Sequence, residues 1–315
     1  QEHLKLHGIN LFDSGDGNTQ NPYEIANWTH LNNTLKNLDA NFTLVNDLDE
    51  TTEEYETVAN ETANGGDGFK PIGDNSNPFT GTFDGNGHII SNLVINRSNE
   101  DNIGMFGFAD SVKVENLELS NVDISGSNNT AALIGKMSGN SALIINSSSS
   151  GIIDGRTGCG GIVGYTDATS SAIKNSSSSA TIIAGVYEGW SDSGGLVGWI
   201  ESTDFIIDKS YATGDVTANG RNVGGLLGGA YNEVNINRSY ATGDVSLINT
   251  NESQVGGLVG ALDDSSSIEN SYATGNVTAE GNNGTPVEED YQGYGLGRLV
   301  GYARTDSASV SYCYA

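Results

Sequence analysis

Short apolar clusters recur along this chain at a nearly constant spacing. A core of two apolar residues closed by glycine returns seven times, ending at Gly107, Gly135, Gly164, Gly198, Gly228, Gly260 and Gly301. Between the copies lies a second element, as in Ile207 to Val216 (IDKSYATGDV), Ile236 to Val245 (INRSYATGDV) and Ile268 to Val277 (IENSYATGNV). Copies at Ile145 to Ile153 and Ile173 to Ile182 have lost the Tyr-Ala-Thr centre. Self-similarity at roughly 30 residues marks solenoids and arrays. Each unit consists of short runs rich in Val, Ile, Thr and Tyr, broken by Gly, Asn, Asp and Ser at turn positions. No helical period survives over residues 81 to 315. A propeller blade needs four antiparallel strands in about 40 residues or more, and most of these units are too short. The pattern therefore predicts an all-β fold, a right-handed parallel β-helix (β-solenoid) whose coils stack at about 4.8 Å.

The front of the chain reads differently. Ile25, Trp28, Leu31, Leu35 and Leu38 recur at three- and four-residue spacing after Pro22, which predicts one amphipathic helix over about 23–38. An acidic insert follows over 47–67, and then Phe79 to Ile90 reads as strand, Asp-Gly-Asn-Gly turn and strand. A solenoid must cover the open edge of its first coil. Residues 1–80 are accordingly assigned to an N-terminal cap and 81–315 to a solenoid of about seven repeats that ends mid-repeat.

Gly-Gly-Leu-Val-Gly alternating with Ser-Tyr-Ala-Thr-Gly-Asp-Val resembles the GLUG repeats of bacterial and archaeal surface proteins. The segments Pro22 to Ile25, Asn46 to Asp49 and Phe83 to Gly87 resemble the leading region that commonly precedes those repeats, so the likeness spans nearly the whole chain. Ala131-Ala132 and Gly297-Arg298 depart from the double glycine. The resemblance implies a secreted, surface-displayed β-solenoid of the kind found in adhesin-like proteins and in structural proteins of cell envelopes. It identifies a scaffold and a setting, not a reaction.

In a straight strand alternate residues face opposite sides, so Gly194, Leu196 and Gly198 would share one face and Gly195, Val197 and Trp199 the other. Both faces are then apolar, as in strands buried on two sides. One row fills the interior, and the second needs a cover. Two covers stay open: the chain's own excursions at 183–193 and 279–296, or another copy laid against an apolar ribbon. The residues assigned to core and assembly ladders are Leu196, Val197, Trp199, Leu226, Leu258, Val259 and Leu299, with Tyr211, Tyr240, Tyr272 and Tyr314 as an aromatic column. Cys159 and Cys313 lie about five repeats apart. At the coil rise this exceeds the roughly 7 Å that a disulfide allows between Cα atoms, so an intrachain bridge is not expected. An intermolecular bridge locking head-to-tail stacked copies and two buried thiols are the readings left open.

Composition narrows the function. The net charge of −27 over 315 residues argues against nucleic acid as a partner. No apolar stretch approaches the ~20 residues of a membrane span. Gln1 is read as a mature terminus left by signal-peptide removal, which predicts an extracellular or cell-surface location. His3, His7, His30 and His88 stand in no nucleophile motif, and the basic residues of the repeats are scattered, so no catalytic group and no enzyme are predicted. A polysaccharide lyase or hydrolase built on a β-helix is the least favoured class. No cofactor is expected, apart from a structural Ca²⁺ for which Asp13, Asp16 and Asn18 are the candidates, although the closing Glu is absent. Asn-x-Ser/Thr acceptors for glycosylation stand at Asn27, Asn32, Asn41, Asn60, Asn96, Asn128, Asn237, Asn251 and Asn276, with further matches at Asn146, Asn175 and Asn283. The favoured function is a self-associating structural subunit of a surface layer, sheath or fibre, stacking end to end, laterally or both, with other envelope components or glycans as further partners. The alternative is an adhesin stalk that recognises surface glycans.

Overall fold

The computed structural model describes residues 11–185, 192–250, 254–263, 265–281, 295–303 and 308–315. His3, His7, Asn251, Asn283 and much of both excursions lie outside them. Among the described residues the strands form sheets of ten, seven, twelve and six members, and every pairing between them is parallel. The chain is a parallel β-solenoid. One coil shows the plan: Asp192–Gly194 in the six-stranded sheet, Val197–Glu201 in the seven-stranded, Phe205–Asp208 in the ten-stranded, then Tyr211–Ala212 and Val216–Ala218 in the twelve-stranded. Register is conserved from coil to coil, with Val197 opposite Leu227, Ile207 opposite Ile236 and Val216 opposite Val245. The seven glycine-closed copies correspond to the seven strands of one sheet, which begin at Phe106, Ile134, Val163, Val197, Leu227, Val259 and Val300.

The front departs from the helix expected over 23–38. Tyr23–Ile25 is a strand that pairs with Asn41–Leu44, and the α-helix spans only Trp28–Asn33 before a 3₁₀ turn at Thr34–Lys36. Asn27 sets the start, since its side chain accepts the His30 amide at 2.9 Å. Ahead of it Tyr23 and Ile25 point inward with Glu24 between them, a period of two that suits a sheet edge better than a helix. The division at residue 80 is not marked by any break in the sheet. Tyr23–Ile25, Asn41–Leu44, Thr82–Asp84 and Lys113–Glu115 are successive members of the ten-stranded sheet. One core runs through that point, where Phe42, Phe79 and Phe106 meet at centroid distances of 6.0 and 4.7 Å. The acidic insert is tied to this body: the Trp28 indole donates to the Asp49 carbonyl, and the Tyr55 hydroxyl to that of Asn92. The outer edge of the first strand is occupied, because the Asp13 amide donates to the Glu24 carbonyl and the Glu24 amide to that of Ser14, each at 3.0 Å.

The glycine-closed element is not a straight strand with two apolar faces. The amides of Leu196 and Val197 both donate to the Leu226 carbonyl, at 2.9 and 3.1 Å. Leu226 and Leu227 likewise share the Leu258 carbonyl, and Leu258 and Val259 that of Leu299. Two consecutive amides can reach one acceptor only where the chain turns, so the element is a corner. Two neighbouring side chains then enter the same interior: Leu196, Val197, Leu226, Leu227, Leu258 and Val259 are all fully buried. The apolar ribbon expected to need a cover is thus consumed by the bend. The outside of the corner is covered within the chain by the six-stranded sheet. A Cβ built on Gly198 would lie 2.6 Å from the carbonyl carbon of Gly158 and 2.8 Å from the amide nitrogen of Cys159. Backbone meets backbone there, and only glycine permits it.

Candidate functional site

Side chains that recur with the repeat form columns along the solenoid. Tyr211, Tyr240, Tyr272 and Tyr314 point outward and stack with centroids 4.7, 4.9 and 4.9 Å apart and planes within 4° of parallel. Register dictates this, since Tyr211 pairs with Tyr240 and Tyr240 with Tyr272 in adjacent strands. Each contact adds roughly 0.5–1.5 kcal/mol beyond burial. The residue before the tyrosine, or before Ser177 in the coil that lacks one, makes a second column. Ser176, Ser210, Ser239 and Ser271 each donate to the carbonyl two residues back, at 2.7–3.0 Å. Each hydroxyl also accepts the amide of the serine one coil earlier, at 3.1–3.2 Å. A buried polar group is tolerated only when it is satisfied, and here both functions of the hydroxyl are used.

Cys313 occupies the next place in that column, its Sγ 3.1 Å from the Ser311 carbonyl. Cys159 sits elsewhere, fully buried in the six-stranded sheet, where burial pushes its thiol up to about 12. Both thiols are free. A Cys159 to Cys313 bridge between copies would require the six-stranded sheet to open, so the lock inferred from sequence has no accessible partner at Cys159. In the native protein an aromatic disulfide reagent should label Cys313 within minutes and Cys159 only after denaturation; fast native labelling of both would show that this sheet opens freely.

The outer face of the seven-stranded sheet carries an aromatic strip. Lys136 is opposite Phe108 and Tyr165, and its ammonium stands 5.1 and 5.5 Å from their ring centroids. Tyr165 contacts Trp199 at 4.9 Å, and Trp199 meets the edge of Tyr231 at 5.7 Å. Trp199 is therefore half-buried on the outside, while Leu196 and Val197 fill the interior. The next position in the row is Gly229. Asp192 and Tyr231 close over it: a Cβ there would be 2.4 Å from Asp192 Oδ2 and 2.8 Å from the Tyr231 ring. Asn222 donates to Asp192 Oδ1 at 2.8 Å and to the Tyr231 hydroxyl oxygen at 2.6 Å. Burial raises the Asp192 carboxyl to about 7 against the opposing pull of Tyr231, Asn222 and Arg221. It also raises the Tyr231 hydroxyl, with the charge of Asp192 adding to the effect. The Trp199 indole N–H and the Asn222 Oδ1 are buried without partners. Asp192, Asn222, Tyr231 and Lys136 had no signal in the sequence beyond their residue types, because their meeting depends on the register of neighbouring coils.

The other sequence candidates are distributed. Asp16 Oδ1 accepts the Asn18 amide, and Asn18 Oδ1 accepts the amides of Gln20 and Asn21, so this segment forms a turn. Among the described residues no three His, Cys, Asp or Glu side chains are grouped to hold a metal ion. His88 Nδ1 lies 3.0 Å from Asp47 Oδ1, whose carboxyl is held below the usual range by the Ile89 amide and by that histidine. Of the acceptor asparagines, Asn27 caps the helix and Asn41 bridges Gly17 and Thr82. Asn60 is buried and bonded to Glu56, Thr62 and Ala63, which leaves it no room for a glycan. Asn32 is half-buried; Asn128 and Asn237 lie in side-chain bonds to Asp101 and Asp208. Asn96 and Asn276 are exposed.

Residues 251–278 match the sequence profile described as the GLUG motif. The chain carries a GLUG repeat. Its relatives include Halomucin of Haloquadratum walsbyi, 32% identical over 175 residues, which are 53% of this chain and 2% of that protein. A protein of Evansella cellulosilytica, whose name describes a Gly-rich membrane protein, is 36% identical over 140 residues, 43% of this chain and 15% of that one. The chain thus spans only a small part of both relatives. Among solved structures, a Bacteroides ovatus protein described as an immunoglobulin A1 protease superposes with a TM-score of 0.70 at 23% identity, covering 94% of this chain and 87% of that one. A structure described as IgA1 protease gives 0.59 at 23% identity, over 90% of this chain and 21% of that one. At such identity the likeness establishes the β-helical fold alone.

Proposed function

We propose that this chain is a non-enzymatic structural segment of an extracellular surface protein, a stiff column rather than a catalyst. The observation that carries the reading is the use made of the recurring side chains: tyrosine stack, serine column and corner leucines all join one coil to the next. The GLUG motif and the relatives Halomucin and Gly-rich membrane protein support a setting at the cell surface. Antibody raised against the chain should label intact cells of the source organism; labelling confined to lysed cells would sink the proposal.

Self-association is the narrower part of this reading. In its favour, Ile152 and Ile183, on neighbouring strands of the twelve-stranded sheet, are 48% and 41% exposed. Against head-to-tail stacking, the edge of the first strand is already paired with Asp13 and Ser14. Against lateral packing through the glycine-closed element, Leu196, Val197, Leu226, Leu227, Leu258 and Val259 are all turned inward. Sedimentation at micromolar concentration decides this part: a monomer throughout removes the layer and fibre functions and leaves the spacer. An adhesin role is the second reading, favoured by the half-buried Tyr165, Trp199 and Tyr231 strip. Aromatic faces bordered by polar groups suit sugar rings.

A further inference from the structure

Two columns run side by side on the outer face of the seven-stranded sheet. Register builds the first, since Lys136 is opposite Phe108 and Tyr165, and Tyr165 is opposite Trp199. Two residues further along the same strands stands a column rich in acids. Asp110 is opposite Ser138, and Glu201 is opposite Tyr231. Thr166 is opposite Ile200, so Asp167 follows beside Glu201. Residues two apart on a strand share a face and lie about 6–7 Å from each other. Carboxylates thus flank the row of rings.

Lys136 shows what such an arrangement receives. Its ammonium sits 5.1 and 5.5 Å from the centroids of Phe108 and Tyr165 and 3.8 Å from Asp167 Oδ2. A cation is attracted to aromatic faces, and most strongly to tryptophan. One coil further on, rings and a carboxylate meet again. Trp199 lies between Tyr165 and Tyr231, at 4.9 and 5.7 Å. Glu201 is exposed, accepts the Tyr165 hydroxyl at 3.3 Å, and has no ion-pair partner among the described residues. Burial raises the Tyr165 hydroxyl, and the charges of Asp167 and Glu201 add to the effect, as two carboxylates close to one ring must. The nearby Arg221 exerts its charge on Asp192 and Tyr231.

Charge and shape together choose the ligand. The carboxylate column calls for a cation, which the net charge of −27 also draws toward the chain. The half-buried rings call for C–H groups held close to that cation. An ammonium carried directly on a sugar ring meets both demands without a rotating stem, whereas a lysine from a partner protein would have to give up the rotamer freedom of its four-carbon chain. Columns that repeat from coil to coil suit a polymer. We infer that this face binds an amino-sugar polysaccharide with free ammonium groups, one ring lying on Trp199 with its ammonium at Glu201.

An amino-sugar ligand presupposes the adhesin reading of this strip, and calorimetric titration of the full chain separates the failure of one from the failure of the other. Glucosamine hexamer, in mildly acidic buffer where its amines are protonated, is compared with N-acetylglucosamine hexamer, which lacks the charge. The first should bind at least about tenfold more tightly than the second. Glu201→Gln should lose about tenfold in affinity for the glucosamine hexamer while thermal unfolding stays unchanged, because the side chain is exposed. Glu118→Gln, at an exposed acid of the twelve-stranded sheet, should leave the affinity as it is. Added salt should weaken binding. Equal binding of the acetylated hexamer would overturn the ammonium site and leave the glycan reading standing. Binding of neither hexamer would overturn the ammonium site and also remove the support that this strip lends to the glycan reading. Equal losses in the two variants, or none in Glu201→Gln, would trace binding to the charge of the whole chain and overturn the site. Hexalysine binding as tightly as the glucosamine hexamer would overturn it in favour of a basic peptide.

Discussion

Gly198→Ala destabilises the protein by about 3 kcal/mol, lowering its thermal midpoint by roughly 5 °C, as expected where a methyl group is forced into a closed contact. The groups it would strike are all backbone: Gly164 O at 2.5 Å, Gly158 C at 2.6 Å and Cys159 N at 2.8 Å. None of them can swing aside as a long side chain would. Relief comes only by parting the six-stranded sheet from the seven-stranded one, which uncovers the corner that Leu196 and Val197 fill. The same contact repeats at Gly228 against Ser193 N, 2.4 Å away, and at Gly260 against Val223 N at 2.5 Å. Gly185→Ala is the matched control, since its nearest neighbour would be Gly155 O at 3.5 Å, an ordinary contact. Thermal unfolding of both variants checks the claim, and equal midpoints would mean that the two sheets are not in backbone contact.

Asp192→Asn should flatten the dependence of stability on pH. The Asp192 carboxyl is raised by burial to about 7, whereas in the unfolded chain it returns to about 3.9. Between those values the folded protein keeps a proton that the unfolded chain has released. Stability from this group is therefore fully present below about pH 4, falls as pH rises, and levels off above about pH 7. The span of about three units amounts to roughly 4 kcal/mol at most. Asparagine keeps the shape and can still accept from Asn222, but it does not titrate. Denaturant unfolding at a series of pH values compares the two proteins. Parallel curves would place Asp192 in contact with water and remove the buried cluster with Asn222 and Tyr231.

Much of the architecture is legible in one dimension because recurrence is a property of order along the chain. The seven closing glycines become seven strands, and tyrosines at equal offsets become a stack, since a parallel sheet in constant register places equivalent residues one above another. The turn column is legible only in part. Asn116, Asn146, Asn175, Lys209, Arg238, Asn270 and Tyr312 all have φ between 49 and 53°. Asparagine suggests such a left-handed turn, whereas Lys, Arg and Tyr are held in it by their neighbours. The helix expected from Tyr23 onward is shorter for a related reason: its first residues are needed to pair with Asn41–Leu44, and sheet pairing overrides a three- and four-residue spacing.

By itself the sequence determined that this protein is a column of coils, because a short repeating unit with no helical period has few other ways to bury its apolar residues. The tertiary structure decided what the outside of that column offers. Alternation along a straight strand predicts two apolar faces for Gly-Leu-Val-Gly, and the observed corner turns both Leu196 and Val197 inward, with the six-stranded sheet laid over the glycine. The same holds for the chemistry. Asp192 is one of 40 acidic residues and Lys136 one of 13 basic ones until adjacent coils bury the first and set the second over the rings of Phe108 and Tyr165. Burial and proximity are set by the closing of many coils on one another, and no local pattern records them.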